Sequence, residues 1–142
     1  LKTAREVWEK AGYYVTGMAL AGIASKNLAE ASGIESETLA MRLAQLDGNA
    51  KTPGRKPTFT LSAKTVVVLD EAGMVGTNDL ARLVGHVKAA GAKLVLVGDS
   101  KQLQPIAAGS PFARIEKDLG RAELTHITRQ QMDEADKLPH WR

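Results

Sequence analysis

The stretch that decides the fold is Val66-Val67-Val68-Leu69-Asp70-Glu71-Ala72-Gly73-Met74. Three β-branched residues and a leucine run straight into two adjacent carboxylates. Such a run suits a strand buried on both faces of a parallel sheet. Its acids then emerge at the strand's carboxyl end, where open α/β sheets place their ligands. An Asp-Glu pair there suits one chemistry well: Asp70 holds Mg²⁺ on a nucleoside triphosphate and Glu71 activates water. Taken alone, two acids that end a strand serve equally as a helix cap or a solvated corner. A second strand follows the same pattern, with Leu94-Val95-Leu96-Val97 leading into Gly98-Asp99 and then Ser100-Lys101-Gln102-Leu103-Gln104-Pro105-Ile106.

Outward from these strands the periodicity predicts the remaining elements. Lys2 to Ala11 carries Ala4, Val7, Trp8 and Ala11 at helical spacing before Gly12. Tyr13 to Leu20 reads as a strand, and Ala24 to Ala31 as a helix closed by Ser32-Gly33. A helix is expected from Ser36, with Leu39, Leu43 and Leu46 on one face. Residues 47 to 64 carry the turn signals Asp47-Gly48-Asn49, Lys51-Thr52-Pro53-Gly54 and Lys56-Pro57 and read as a long loop. Thr77 or Asn78 caps a helix to Ala90 whose buried face is Leu80, Leu83, Val84 and Val87. A further helix is expected from about Ser110 to Leu119, and a short strand over Ala122-Glu123-Leu124-Thr125. Strands alternating with helices at this spacing predict an α/β fold: a parallel β-sheet flanked by helices, joined by right-handed crossovers.

The totals bound the function classes. At 142 residues the chain is one domain's worth, enough for a single core. Its net charge of +3 permits a nucleic-acid partner without demanding one. The excess is local: Arg42, Lys51, Arg55, Lys56 and Lys64 face only Asp47 between residues 42 and 64, giving +4 there and −1 elsewhere. This basic segment suits phosphate contact or plain solvation, and Phe59 alone makes no stacking platform. The absence of Cys excludes disulfides and thiolate metal sites and fits a reducing cytoplasm. No apolar run approaches the roughly 20 residues that span a bilayer.

Further candidates stand outside the two acids. Asp99 ends the second strand, and Gln102 suits hydrogen bonding to a γ-phosphate or its attacking water. Arg129 offers a guanidinium for charge that develops on a transferring phosphoryl group. Gly22 to Leu28 follows a strand and opens a helix, so its free N–H groups suit a DNA phosphate or an ordinary strand–helix turn. His86, His126 and His140 show no metal-ligand spacing, and Trp8, Tyr13 and Tyr14 read as core or rim packing.

Taken together, these residues resemble superfamily 1 helicases of the RecD-like branch. Residues 19 to 25 (Ala-Leu-Ala-Gly-Ile-Ala-Ser), 70 to 74, 98 to 106 and 124 to 130 look like that branch's motifs Ia, II, III and IV, in order. The likeness is greatest to the helicase region of TraA-type conjugative relaxases, and the missing motif Ia Thr, common in RecD itself, favours that side. The resemblance implies an incomplete RecA-like, P-loop NTPase-type domain over about residues 1 to 130, with 131 to 142 a polar tail or the start of a connection. It implies ATP and Mg²⁺ as cofactors and single-stranded DNA as partner, in a 5′-to-3′ motor of plasmid transfer. By its motif correspondence Asp70 binds Mg²⁺, Glu71 is the catalytic base, Gln102 senses the γ-phosphate and Arg129 contacts it. Ala21, Gly22, Ser25 and Lys26 line the DNA path.

The phosphate-binding string G-x-x-x-x-G-K-[ST] does not occur in the sequence, nor do motifs V and VI. The first segment looks like the helix that follows such a loop, so the sequence reads as a piece taken just downstream of it. The rest of the helicase and a relaxase domain are then expected in the parent chain. The isolated segment is expected neither to hydrolyse ATP nor to unwind DNA. Two alternatives stay open: a RecD-like repair helicase subunit, and a non-enzymatic ATPase fold used as a binding or recruitment module.

Overall fold

The computed structural model describes residues 1–51, 54, 56–98 and 111–122. Four parallel strands form one sheet in the order β2-β1-β3-β4. They are β1 (Tyr14–Ala19), β2 (Glu35–Thr38), β3 (Thr65–Leu69) and β4 (Lys93–Leu96). The helices are α1 (Lys2–Lys10), α2 (Gly22–Ser32), α3 (Leu39–Lys51), α4 (Thr77–Ala90) and α5 (Pro111–Leu119).

The expected central strand is β3. All five of its residues are buried, as a strand covered on both faces requires. Alternate side chains feed two cores. Val67 and Leu69 join Met18, Leu39, Leu43, Leu80 and Leu83 on the face covered by α3 and α4. Val66 and Val68 join Val15 and Ile34 on the other face, with Trp8 of α1 packed against them. Each fully buried side chain of this kind contributes about 1.5–3 kcal/mol. On that second face α2 comes close to β1, and only a residue without a side chain fits between them. A β-carbon on Gly17 would lie 2.9 Å from Leu28 Cδ2 and closer still to the Ser36 hydroxyl.

Connections leave the two central strands in opposite directions. α2 follows β1 on one face, while α4 follows β3 on the other. A crevice therefore opens between the carboxyl ends of β1 and β3, the usual ligand position in open α/β sheets.

Several boundaries differ from expectation. Residues 35–38 form strand β2 rather than the first turn of a helix at Ser36. β2 is an edge strand, so it accepts a polar sequence once each side chain finds a partner. Glu35 pairs with Arg42 at 3.5 Å, and the Ser36 hydroxyl donates to the Ile34 carbonyl at 2.8 Å. Thr38 Oγ1 accepts from the Met41 amide at 3.3 Å and so caps α3. Leu39, Leu43 and Leu46 line the buried face of α3 as expected. That helix runs to Lys51, into the segment expected to be loop. α2 starts at Gly22 rather than Ala24, and α4 is capped by the extended backbone of Gly76 rather than by Thr77 or Asn78. The expected strand at 122 to 125 lies outside the described residues beyond Ala122.

Two charges counted in the basic segment are internally engaged. Arg42 is only 8% exposed and stacks on Phe59, with its guanidinium carbon 4.0 Å from the ring centroid. Asp47 joins α3 to α4. One of its oxygens pairs with Arg82, the other lies 2.7 Å from His86 Nε2, and Arg82 also pairs with Asp79 at 3.1 Å. The Arg82 hydrogen bond, followed by that of His86, holds the Asp47 carboxyl below the usual range. A depressed folded pKa gives stability that is present above the unfolded value of about 3.9 and lost as pH falls through the lower folded value. Asp47→Asn should therefore lower the melting temperature at neutral pH. In thermal melts across pH, its deficit against the wild type should shrink to nothing once Asp47 is protonated in both states.

Candidate functional site

Asp70 and Glu71 leave the carboxyl end of the most deeply buried strand, at the crevice. Their backbone is pinned from both sides. The Asp70 amide donates to the Met18 carbonyl of β1 at 2.9 Å. The Ala72 amide donates to the Val97 carbonyl just beyond β4 at 2.8 Å, and the Val97 amide donates to the Leu69 carbonyl at 2.9 Å. Between these anchors Glu71 takes a left-handed conformation, φ 53° and ψ 37°. It is the one non-glycine residue with positive φ among the described residues. Such a conformation costs about 1–3 kcal/mol and persists where neighbours over-determine it. It opens a 3₁₀ turn, Ala72–Met74, closed by the Met74 amide donating to the Glu71 carbonyl at 2.9 Å.

The side chains then differ in role. Asp70 is half-buried, and its Oδ1 accepts from the Glu71 amide at 2.8 Å. That bond fixes the carboxylate's orientation. Glu71 is exposed and reaches out of the crevice. No group of three or more metal-ligating side chains gathers among the described residues. Mg²⁺ on a nucleotide needs no such cage, since one or two carboxylates, waters and phosphate oxygens suffice. A half-buried, oriented Asp beside an exposed Glu therefore fits the metal end of a nucleotide site.

Gly98, which in the sequence only leads into Asp99, has a structural part in this site. A β-carbon there would lie 3.0 Å from the Gly73 amide nitrogen, 3.2 Å from that of Ala72 and 3.4 Å from the Phe112 ring. The end of β4 can approach the Glu71 turn only because residue 98 has no side chain. The sequence signal was a glycine directly before an acid at a strand end. Gly98→Ala should cost about 1–3 kcal/mol, because backbone rather than a flexible side chain must move. Chemical denaturation should show that loss; an unchanged midpoint would contradict the close approach.

The expected DNA-facing residues lie on the other lip of the crevice. Ala21 is extended (φ −107°, ψ 149°) and caps α2 without a side-chain hydrogen bond. Ala21, Gly22 and Lys26 are exposed, as are Leu20 and Ile23. Ser25 differs from expectation. It is 5% exposed, and its hydroxyl donates to the Gly22 carbonyl at 2.8 Å. Ser25 therefore closes the first turn of α2 rather than facing a ligand, and the surface presented is Ala21, Gly22 and Lys26. Asp99, Gln102 and Arg129 lie outside the described residues.

A family model described as an AAA domain matches residues 1–140. The chain belongs to this AAA domain family. Over 133 residues the domain is 51% identical to the conjugal transfer protein TraA of Agrobacterium fabrum, covering 94% of this chain and 11% of that protein. It is 36% identical over 93 residues to the multifunctional conjugation protein TraI of Escherichia coli, covering 66% of this chain and 5% of that protein. It is 28% identical over 129 residues to the ATP-dependent RecD2 DNA helicase of Deinococcus radiodurans, covering 91% of this chain and 17% of that protein. The AAA domain thus spans about a tenth of the TraA protein it matches. The expected TraA likeness holds along nearly the whole chain, and the expected α/β sheet flanked by helices is present among the described residues. Among the described residues, no helix of the AAA domain is long and apolar enough to cross a membrane.

Proposed function

We propose that this AAA domain is part of an ATP-driven motor on single-stranded DNA, acting in conjugative transfer. The observation that carries this reading is the placement of Asp70 and Glu71. They stand at the carboxyl end of the central buried strand, with the backbone on either side of Glu71 held by the Asp70 amide bond to β1 and the Ala72 amide bond to Val97, just beyond β4. The relatives support the rest: two are conjugation proteins, and one is an ATP-dependent DNA helicase.

Bound Mg²⁺–ATP supplies the phosphoanhydride whose hydrolysis drives the motor. Asp70 holds the metal through a carboxylate already oriented by the Glu71 amide. Glu71 accepts a proton from the attacking water as general base. Gln102 is assigned to sensing the γ-phosphate, Arg129 to contacting it and Asp99 to nucleotide binding. The exposed lip of Ala21, Gly22 and Lys26 meets the DNA backbone across the crevice. Residues 1 to 130 are assigned to the domain that carries these groups, and 131 to 142 to a polar tail or the start of a connection. Identity of 51% to TraA against 28% to RecD2 favours conjugation over the repair-helicase reading.

Asp70→Asn tests the metal assignment. In the full-length protein, titration with a fluorescent ATP analogue should show tighter binding with Mg²⁺ than without it. The variant should lose that difference while keeping the wild-type melting temperature. Equal affinity with and without Mg²⁺ in both proteins would contradict the assignment.

A further inference from the structure

The opposite edge of the sheet carries a cluster that the nucleotide reading does not use. Three turns meet at the amino ends of the strands: Gly12-Tyr13 before β1, Ser62 to Lys64 before β3, and Gly91 to Lys93 at the start of β4. They are fastened together. The Tyr14 amide donates to the Lys64 carbonyl at 2.8 Å, and the Tyr13 amide to the Trp8 carbonyl at 3.0 Å. A β-carbon on Gly91 would sit 3.7 Å from that of Ala63.

Two ammonium groups gather on one ring there. Lys64 Nζ lies 5.0 Å and Lys93 Nζ 5.6 Å from the centroid of Tyr13. Both lysines are exposed, and neither takes part in an ion pair among the described residues. Lys10 and Lys88 are also exposed, in the last turns of α1 and α4, and both helices end at this edge. Carboxylates in the last turn of α1 and at the start of β2 are engaged. Glu9 holds Arg5 at 2.7 Å, while Glu35 pairs with Arg42 and takes the Tyr14 hydroxyl at 3.3 Å. The ring offsets part of the repulsion between the two ammonium groups. A polyanion would relieve the remainder.

We infer that this amino edge is a second contact for the sugar-phosphate backbone of single-stranded DNA, with Lys64 and Lys93 as its charges. The inference rests on the reading that the protein works on single-stranded DNA. The chemistry favours a phosphate backbone. Ammonium groups on flexible stems act as point charges, which suits phosphates. With two ammonium groups within 5.6 Å of its centroid, the Tyr13 ring is already engaged by cations, which favours phosphate contact over base stacking. The three turns hold none of the exposed large apolar side chains that a lipid surface would need.

The test is the salt dependence of binding to a fluorescent oligothymidylate, read by anisotropy on the full-length protein. Each single-strand phosphate contact contributes a log–log slope of about 0.7, so the Lys64→Gln/Lys93→Gln double variant should lose about 1.4 of slope. The Lys64→Arg/Lys93→Arg variant should restore it, which separates lost charge from a disturbed fold. A Lys26→Gln variant that weakens binding while the double variant binds as wild type would overturn the amino-edge contact alone. A wild-type protein that binds no oligothymidylate would overturn both this contact and the DNA reading.

Discussion

Glu71→Gln in the full-length protein is expected to cut steady-state ATP turnover by about 10²–10⁴-fold, the usual range for removing a general base. The substitution keeps the shape of the side chain and removes its capacity to take a proton. Glu71 is exposed, and its conformation is imposed by backbone bonds from Met18, Val97 and the following turn rather than by its carboxylate. The variant should therefore fold, melt and bind nucleotide as the wild type does. Turnover within a few-fold of wild type would remove Glu71 from the chemistry.

Leu69→Ala is expected to destabilise the fold by about 2–5 kcal/mol. Leu69 is the last residue of β3 and fully buried, packed in the core under α3 and α4. Truncation leaves a cavity directly behind the two acids. Well-packed neighbours on two covered faces cannot collapse fully into it, which places the cost toward the upper part of that range. Its carbonyl also accepts from the Val97 amide, the bond that sets β4 against the Glu71 turn. The variant should thus lose activity at temperatures where it is still folded. Urea unfolding of both proteins measures the first effect. A loss below about 1 kcal/mol would mean that the site collapses easily, contrary to a strand locked on both faces.

The parts of the fold that sequence reading reached are those where burial alone sets the pattern. β3 is apolar because it is covered on both faces, and α4 shows Leu80, Leu83 and Val87 at helical spacing because one face meets the sheet, while Val84, expected on that face, is exposed. β2 was misread because an edge strand takes its identity from its neighbour. Glu35, Ser36 and Thr38 look like a helix start until Thr16 to Ala19 lie beside them in register. Sequence reading placed Asp70 and Glu71 at the right strand end. It did not reach the left-handed Glu71 backbone, which depends on the bond from Ala72 to Val97, far away in the chain. The buried hydroxyl of Ser25 was equally hidden, because its partner is a carbonyl exposed only once α2 has formed. Lys64 and Lys93 belong to separate segments, and only the β3–β4 pairing brings them onto one ring.

In the proposed motor, ATP hydrolysis answers to single-stranded DNA. The decisive quantity is the initial rate of ATP hydrolysis by the full-length protein, at saturating Mg²⁺–ATP with and without single-stranded DNA. Strong stimulation by DNA is expected, and it should disappear in Glu71→Gln. A folded wild-type protein that shows no turnover, or turnover indifferent to DNA, would contradict the proposed motor.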